Sequence, residues 1–298
     1  MPRYTNKENL PRSWVNAVAA DTYDGPRDLD HISVTSLALP PRVRVLTARH
    51  WGDITMDVAD RPHSLFGEAI HYVVSKAADN SYVSEERIEC KVSNRILTGK
   101  PDLYDKIEQV IEDYKTTSVF HFMHDKEDFE IQLNVYAWLE TEVMHRPVKR
   151  ILNVVYMKDW RLSELYKYQN YPSRNLKKWY PKLWTTQEQK RYIESRIEEH
   201  SKYDALKDEE QPLCTERERW SDSDIFAVYK VTNGKRSARA VDAQQKTEES
   251  AKDRVAELEK KNPKALYEIV FRKGSDKRCI NYCDAKEFCS YWREHYET

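Results

Sequence analysis

The segment Gly99 to Lys115, GKPDLYDKIEQVIEDYK, constrains the fold more than any other part of the chain. Its second half alternates Val110, Glu112 and Tyr114 with Ile111, Asp113 and Lys115, the period of a β-strand. Residues two apart in a strand point the same way about 6.6 Å apart, so Asp113 and Lys115 share one face and Glu112 and Tyr114 the other. Asp102 precedes Asp113 by eleven residues, and its position depends on the hairpin register. A two-residue loop at Asp105 and Lys106 pairs Asp102 with Gln109 and leaves the two aspartates about 13 Å apart, too far to share an ion. A four-residue loop, Lys106 to Gln109, pairs Asp105 with Val110 and Asp102 with Asp113, their Cβ atoms about 5 Å apart on one face. Two facing carboxylates repel unless a cation lies between them, and Mg²⁺ or Mn²⁺ is the hard cation such oxygens select. The longer loop therefore predicts a metal site, and the shorter one predicts none.

The flanking sequence reads as alternating helices and strands. From Ser64 to Ala78, SLFGEAIHYVVSKAA places Leu65, Phe66, Ala69, Ile70, Val73, Val74 and Ala77 on a broad buried helical face, with His71 on the same helix. Strands are expected near Ser84 to Val92, Arg95 to Thr98, Asp102 to Asp105 and Val110 to Thr116. A helix from Asp128 to Val143 and a buried strand from Val148 to Met157 follow. Upstream, Ser33 or Thr35 caps a short helix that Pro40 and Pro41 stop. This order predicts an α/β fold with a mixed central β-sheet flanked by helices.

Three regions are expected: a polar arm at 1–30, the α/β core with a helical extension at 31–212, and a cysteine-bearing region at 213–298. Within the core, Lys167 to Trp184 is a linker containing Arg174, Lys177, Lys178, Trp179, Lys182 and Trp184. It reads either as a surface loop over the core or as a groove wall whose cations neutralise phosphates and whose rings stack on bases. Thr186 with Gln189 resembles a capping box and opens a helix through about Tyr203. The last region holds a ββαβ insert at about 221–273. Its hairpin strands are Ile225 to Val231 and Ser237 to Val241 around an Asn233-Gly234 turn, followed by a helix from Gln244 to Lys260 and a strand from Ala265 to Arg272.

At 298 residues, 33% charged and with six glycines, the chain has the composition of a helix-rich globular protein. No apolar run approaches about eighteen residues and the N-terminus lacks the apolar stretch of a signal peptide, so a cytoplasmic location without membrane contact is expected. With 49 basic and 50 acidic residues the net charge is -1. General attraction to nucleic acid is therefore not implied, and any such contact needs a local basic patch.

Four pieces occur in order on helix, hairpin, strand and helix: Gly67-x-x-x-His71, Gly99-x-Pro101-Asp102, Asp113-Tyr114-Lys115-Thr116 and Gln132-x-x-x-Tyr136. Together they resemble the PD-(D/E)XK nuclease superfamily, and within it the RecB-like exonucleases that include CRISPR-associated and phage-encoded members. The matched core spans about Ser33 to Tyr156. The resemblance implies a restriction-endonuclease-like core and a metal-dependent DNA exonuclease acting at ends or on single strands. It also implies a setting in phage or bacterial recombination or replication, with proteins of those processes as partners. Asp102, Asp113 and His71 would hold Mg²⁺ or Mn²⁺, and Lys115 would orient the attacking water or stabilise developing charge. Gln132 and Tyr136, neighbours on one helical face, would hold the lysine or contact the substrate backbone, though they also read as polar positions bordering a core helix. Glu86 reads as a further acidic contributor or a solvated strand residue. The alternatives are an endonuclease, or a DNA-binding or adaptor protein that keeps the nuclease fold without cleaving.

A second constellation is Cys214, Cys279, Cys283 and Cys289, the last three within RCINYCDAKEFC. In an unexported chain such thiols argue for metal over disulfides. Many RecB-like nucleases carry an iron-sulfur cluster on one distant cysteine plus a C-terminal triplet, and this arrangement looks like theirs. It departs in that no cysteine precedes His71 and that three residues, instead of two, separate the first triplet pair. Four thiolates fit [4Fe-4S] or structural Zn²⁺, and free buried thiols are the third alternative. Zinc would suit an interaction protein, and either metal would clamp the C-terminal segment by closing a loop of about 65 residues. Cys90, in an expected strand, reads as a small buried hydrophobe.

Overall fold

The computed structural model describes residues 2–20, 25–124 and 126–297. They form two compact units, Met1–Pro212 with Glu287–Cys289, and Leu213–Lys286 with Ser290–Thr298. The first carries β1 (Arg3–Thr5), α1 (Arg12–Ala19), β2 (His31–Ser33), α2 (Val34–Ala38), α3 (Pro41–His50), β3 (Thr55–Asp57), α4 (Pro62–Ala77), β4 (Tyr82–Ser84), β5 (Ile88–Val92) and β6 (Arg95–Gly99). It continues with β7 (Leu103–Asp105), β8 (Val110–Thr117), α5 (Val119–His124), α6 (Glu127–Trp138), β9 (Arg150–Met157), α7 (Leu162–Leu165), β10 (Leu176–Trp179) and α8 (Thr186–Asp204).

The main sheet has the order β10-β9-β8-β7-β4. β8 and β9 are parallel and the other neighbours antiparallel, so the α/β fold with a mixed sheet is as the sequence pattern predicts. A parallel pair needs a crossover, and α5 and α6 supply it. A three-stranded sheet, β2-β6-β5, accompanies it. The core gathers Ile111 of β8, Leu133 of α6, Ile151 of β9 and Ile197 of α8, all at most 1% exposed. The Ser33 hydroxyl caps α2 by accepting from Ser36 N–H at 3.0 Å, and Pro41 opens α3, where its missing N–H costs nothing.

Four local expectations change. The polar arm is not without structure: β1 pairs in parallel with β3, and Trp14 of α1 donates to the Val58 carbonyl. α4 forms over the expected span but buries none of its residues; Phe66, Tyr72 and Val73 are 62, 65 and 64% exposed. The apolar run marks the helix correctly, but not a buried face. The basic linker contains β10, which joins the edge of the main sheet. The capping box that opens α8 is one residue earlier: Thr185 Oγ1 accepts from Glu188 N–H, and Glu188 accepts from Thr185 N–H. Gln189 is instead buried, 3.4 Å from Asn134 Oδ1.

The second unit holds α9 (Glu216–Arg219), β11 (Ile225–Thr232), β12 (Lys235–Arg236), β13 (Asp242–Gln245), α10 (Glu248–Lys261), β14 (Leu266–Arg272), α11 (Lys277–Asn281) and α12 (Ser290–Tyr296). Asn233 and Gly234 have φ of 53° and 70°, the left-handed pair that a two-residue hairpin turn requires. The returning strand lasts only two residues, and pairing with β11 resumes at β13 instead of running through 237–241. The helix accordingly starts at Glu248, four residues later than the sequence suggests. β14 pairs with β11 in antiparallel register. Among the described residues no helix is long and apolar enough to cross a membrane.

α6 ends in a π-helical turn, Leu139–Val143, where the Glu140 side chain is 2% exposed and 3.2 Å from Arg146. Burial pushes its carboxyl up to about 7, against the pull of Arg146. A native pKa above the ordinary 4.5 gives a stabilisation that is full below about pH 4.5 and lost as the pH rises through about 7. Glu140→Gln is expected to match the parent near pH 5 and to exceed it by about 2–3 kcal/mol in urea unfolding near pH 8. An equal difference at both pH values would show that Glu140 does not titrate in this window.

Candidate active site

The hairpin ladder runs Leu103↔Glu112, Tyr104↔Ile111 and Asp105↔Val110. This is the register of the four-residue loop. Asp105 holds that loop by accepting from Ile107 N–H and Glu108 N–H, and Gln109 takes φ of 58°. Asp102 lies one residue beyond the ladder, and its Oδ2 accepts from Tyr114 N–H at 2.7 Å. The carboxylate thus occupies the place where a partner carbonyl would continue the pairing, next to Asp113.

Asp113 is 1% exposed. Its Oδ1 accepts from Lys115 Nζ at 2.9 Å and its Oδ2 from Asn153 Nδ2 at 2.7 Å. Burial raises the Asp113 carboxyl above its ordinary value, with Lys115 pulling against it. Burial also opposes the charge on Lys115, but Asp113 and Asp102 outweigh it and the ammonium is held above its ordinary pKa. Lys115 Nζ further lies 5.7 Å over the Phe129 ring of α6.

From the other side, His71 places Nδ1 3.1 Å from Asp102 Oδ1 and Nε2 3.0 Å from the Tyr114 carbonyl oxygen. A carbonyl only accepts, so Nε2 donates, and the carboxylate beside Nδ1 favours the doubly protonated ring. The hydrogen bond to Asp102 raises its pKa accordingly, against the effect of burial. Asp113 thus faces Lys115, and Asp102 faces His71.

Gln132 donates to the Tyr136 hydroxyl at 3.1 Å. Burial, then the nearby Asp113 charge, raises the Tyr136 pKa, so the phenol stays protonated. Glu86 lies in the connection between β4 and β5, not in a strand, and forms an ion pair with Arg146. Sequence reasoning misses Asn153; the signal for it is one carboxamide in the otherwise apolar run 151–157 of β9.

The donor set fits a hard cation in part. Asp102 and Asp113 offer oxygens, and Asn153 Oδ1 is a buried acceptor that takes no hydrogen bond among the described residues. His71 fits only after losing a proton. No group of three or more His, Cys, Asp or Glu side chains among the described residues stands ready to hold a metal ion.

All five cysteines are free of disulfides. Cys214, Cys279 and Cys283 belong to the second unit and Cys289 to the first. In the first, Arg42 Nε donates to Cys289 Sγ at 3.3 Å. In the second, Asp276 accepts from Tyr291 and Tyr296 hydroxyls at 2.7 and 2.9 Å and lies 3.3 Å from Arg219, which orders the segment just before Cys279. Cys90 packs at the core boundary.

No family profile matches the chain, and no curated protein matches it. Solved structures similar to parts of it include the following two. The crystal structure of SSO0001 has a TM-score of 0.40 at 15% identity, covering 63% of this chain and 82% of that one. A phage related exonuclease from Haemophilus somnus 129PT has a TM-score of 0.33 at 13% identity, covering 64% of this chain and 86% of that one.

The two glycines near the site differ in what they permit. A Cβ on Gly99 would lie 2.6 Å from Leu139, 2.8 Å from Val34 and 3.1 Å from Tyr136, whereas one on Gly67 would meet only Thr116 Oγ1 at 3.9 Å. Gly99→Ala is expected to cost about 1–3 kcal/mol in urea unfolding by forcing α2 and α6 away from β6. Gly67→Ala is expected to be neutral or to gain up to about 1 kcal/mol from helix propensity. The reverse ranking would refute this packing.

Proposed function

We propose that the chain is a metal-dependent DNA nuclease of the PD-(D/E)XK type, an exonuclease of the RecB-like branch acting at ends or on single strands. The observation that carries this reading is the placement of Asp113 and Lys115 on one face of β8, with Asp102 and His71 adjoining. Phosphodiester hydrolysis needs an activated water, positive charge for the phosphate oxygens and help for the leaving oxygen. Mg²⁺ or Mn²⁺ held by Asp102 and Asp113, with His71 as neutral imidazole, would lower the pKa of water and offset phosphate charge.

The remaining roles belong to the chain. Asn153 fixes one oxygen of Asp113 and so sets the direction in which the other points. Lys115, already an ammonium, would turn from Asp113 to the scissile phosphate and stabilise charge that develops there. The Tyr136 hydroxyl, kept protonated and bonded to Gln132, lies buried in the core and borders the site from within. For Cys214, Cys279, Cys283 and Cys289 we propose a structural [4Fe-4S] cluster, with Zn²⁺ as the alternative; soft thiolates outside disulfides suit both.

A second reading is a non-cleaving DNA-binding or adaptor protein. What favours it is that Lys115 and His71 already lie against both carboxylates. One experiment separates the two. With Mg²⁺ or Mn²⁺, the parent is expected to degrade end-labelled oligonucleotides, and Asp113→Asn and Lys115→Ala to slow that by at least about 100-fold. A circular single strand is expected to survive. Cutting of the circle would make the enzyme an endonuclease, and undiminished degradation by either variant would refute the site.

The cofactor is tested separately. Protein purified without oxygen is expected to be brown, with iron and sulfide in equal amounts, and Cys283→Ser to be colourless. A colourless parent carrying stoichiometric zinc would select the alternative.

A further inference from the structure

The sheet of the second unit carries a pair of cations that the proposed chemistry does not use. In its ladders Ile225 lies opposite Arg272, Ala227 opposite Val270, Tyr229 opposite Glu268, and Val231 between Leu266 and Arg236. Directly paired residues, and residues two apart on a strand, point to the same side, so Arg236, Tyr229, Glu268 and Arg272 share one face. Phe226, Val228 and Lys230 point to the other, where Asp242, opposite Val228, accepts from Arg254 of α10 at 2.9 Å. The helix thus lies on the Val228 side of the sheet.

Both guanidinium groups lie over the same ring. Arg236 Cζ is 4.9 Å and Arg272 Cζ 5.2 Å from the centre of the Tyr229 ring, and Tyr229 itself is 6% exposed. The Arg236 side chain is 46% exposed, and its ion pair on this face is loose, 3.7 Å to Glu268, so water and salt screen it. Arg272 is exposed too, and among the described residues no carboxylate stands within ion-pair distance of it. The surrounding ribbon adds charge of one sign: 225–241 contains Lys230, Lys235, Arg236 and Arg239 and no acidic residue. This is the local basic patch that a chain of net charge -1 needs before it can hold a polyanion.

We propose that the second unit binds the phosphate backbone of duplex DNA through Arg236 and Arg272, with Tyr229 seating both guanidinium groups. This rests on the nuclease reading for DNA as the polyanion. A guanidinium offers a fixed fork of donors that matches a phosphate, and a pair set over one ring is placed before the ligand arrives. Single-strand sites instead stack bases on open rings. Here the Tyr229 ring is buried with its two cations, and an exposed ring of this sheet, Phe271 at 53%, points to the opposite face beside Phe226. What remains is contact with phosphates, which a duplex presents outward at one charge per about 1.7 Å of axis.

The test is binding of a fluorescein-labelled duplex to the full chain, followed by anisotropy in EDTA so that nothing is cut. The charge-removing variant Arg236→Gln, Arg272→Gln is expected to bind about tenfold more weakly, and its log affinity against log salt to flatten by about 1.8, or about 0.9 per lost phosphate contact. The charge-keeping variant Arg236→Lys, Arg272→Lys is expected to keep the parental slope. Glu268→Gln, which takes the carboxylate off this face, is expected to bind about threefold more tightly. Lys260→Gln, Lys261→Gln on α10 loses the same charge elsewhere in the unit and is expected to match the parent. A charge-removing variant with parental affinity and slope would overturn the site, as would a parent that binds no duplex or an equal loss measured on a single strand. Equal weakening by the charge-keeping or the α10 variant, or a Glu268→Gln variant that binds no more tightly, would also overturn it. Adding Mg²⁺ separates the two proposals. Cleavage by a charge-removing variant that binds normally removes the site and leaves the nuclease, and its weakened binding without cleavage by any protein removes the nuclease and leaves the site.

Discussion

A carboxylate at 1% exposure in the middle of a sheet is the constraint on which the first unit depends. Unpaired, the Asp113 charge would be unaffordable in such a place, and breaking a buried pair of this kind typically costs about 3–5 kcal/mol. Lys115 meets one oxygen and Asn153 the other. The first partner comes from strand periodicity alone, since i and i+2 share a face. The second requires β9 to lie beside β8 in the one parallel register that sets Asn153 against Asp113. A slip of one residue would turn Asn153 to the other face and leave the carboxylate half satisfied.

The parallel register in turn accounts for the helical layer. A parallel neighbour cannot be reached by a tight turn, so the chain must cross over, and it does so through α5 and α6. That crossover sets Phe129 near Lys115 and Tyr136 near Asp113. The close approach continues at Gly99, where no side chain could fit between β6, α2 and α6. Asp102 then follows directly, and its carboxylate ends the hairpin by taking the Tyr114 N–H. Backbone topology and site chemistry are solved together here, because the same polar atoms end strands and carry charge.

Local rules made much of this legible. The loop Lys106 to Gln109 fixes the hairpin register, and alternation puts Asp113 and Lys115 together, so the acid–lysine face could be read from seventeen residues. Asn153 could not, because its role depends on which strand becomes the neighbour of β8, a contact forty residues away. α4 shows a different limit. Hydrophobic periodicity says that a helix will form, but whether Phe66 and Tyr72 are covered depends on how many elements surround it. β10 fails for a third reason: four residues with two lysines carry almost no strand signal, and only the free edge of β9 gives them a partner. Glu86 was ambiguous by sequence because its partner, Arg146, lies sixty residues on.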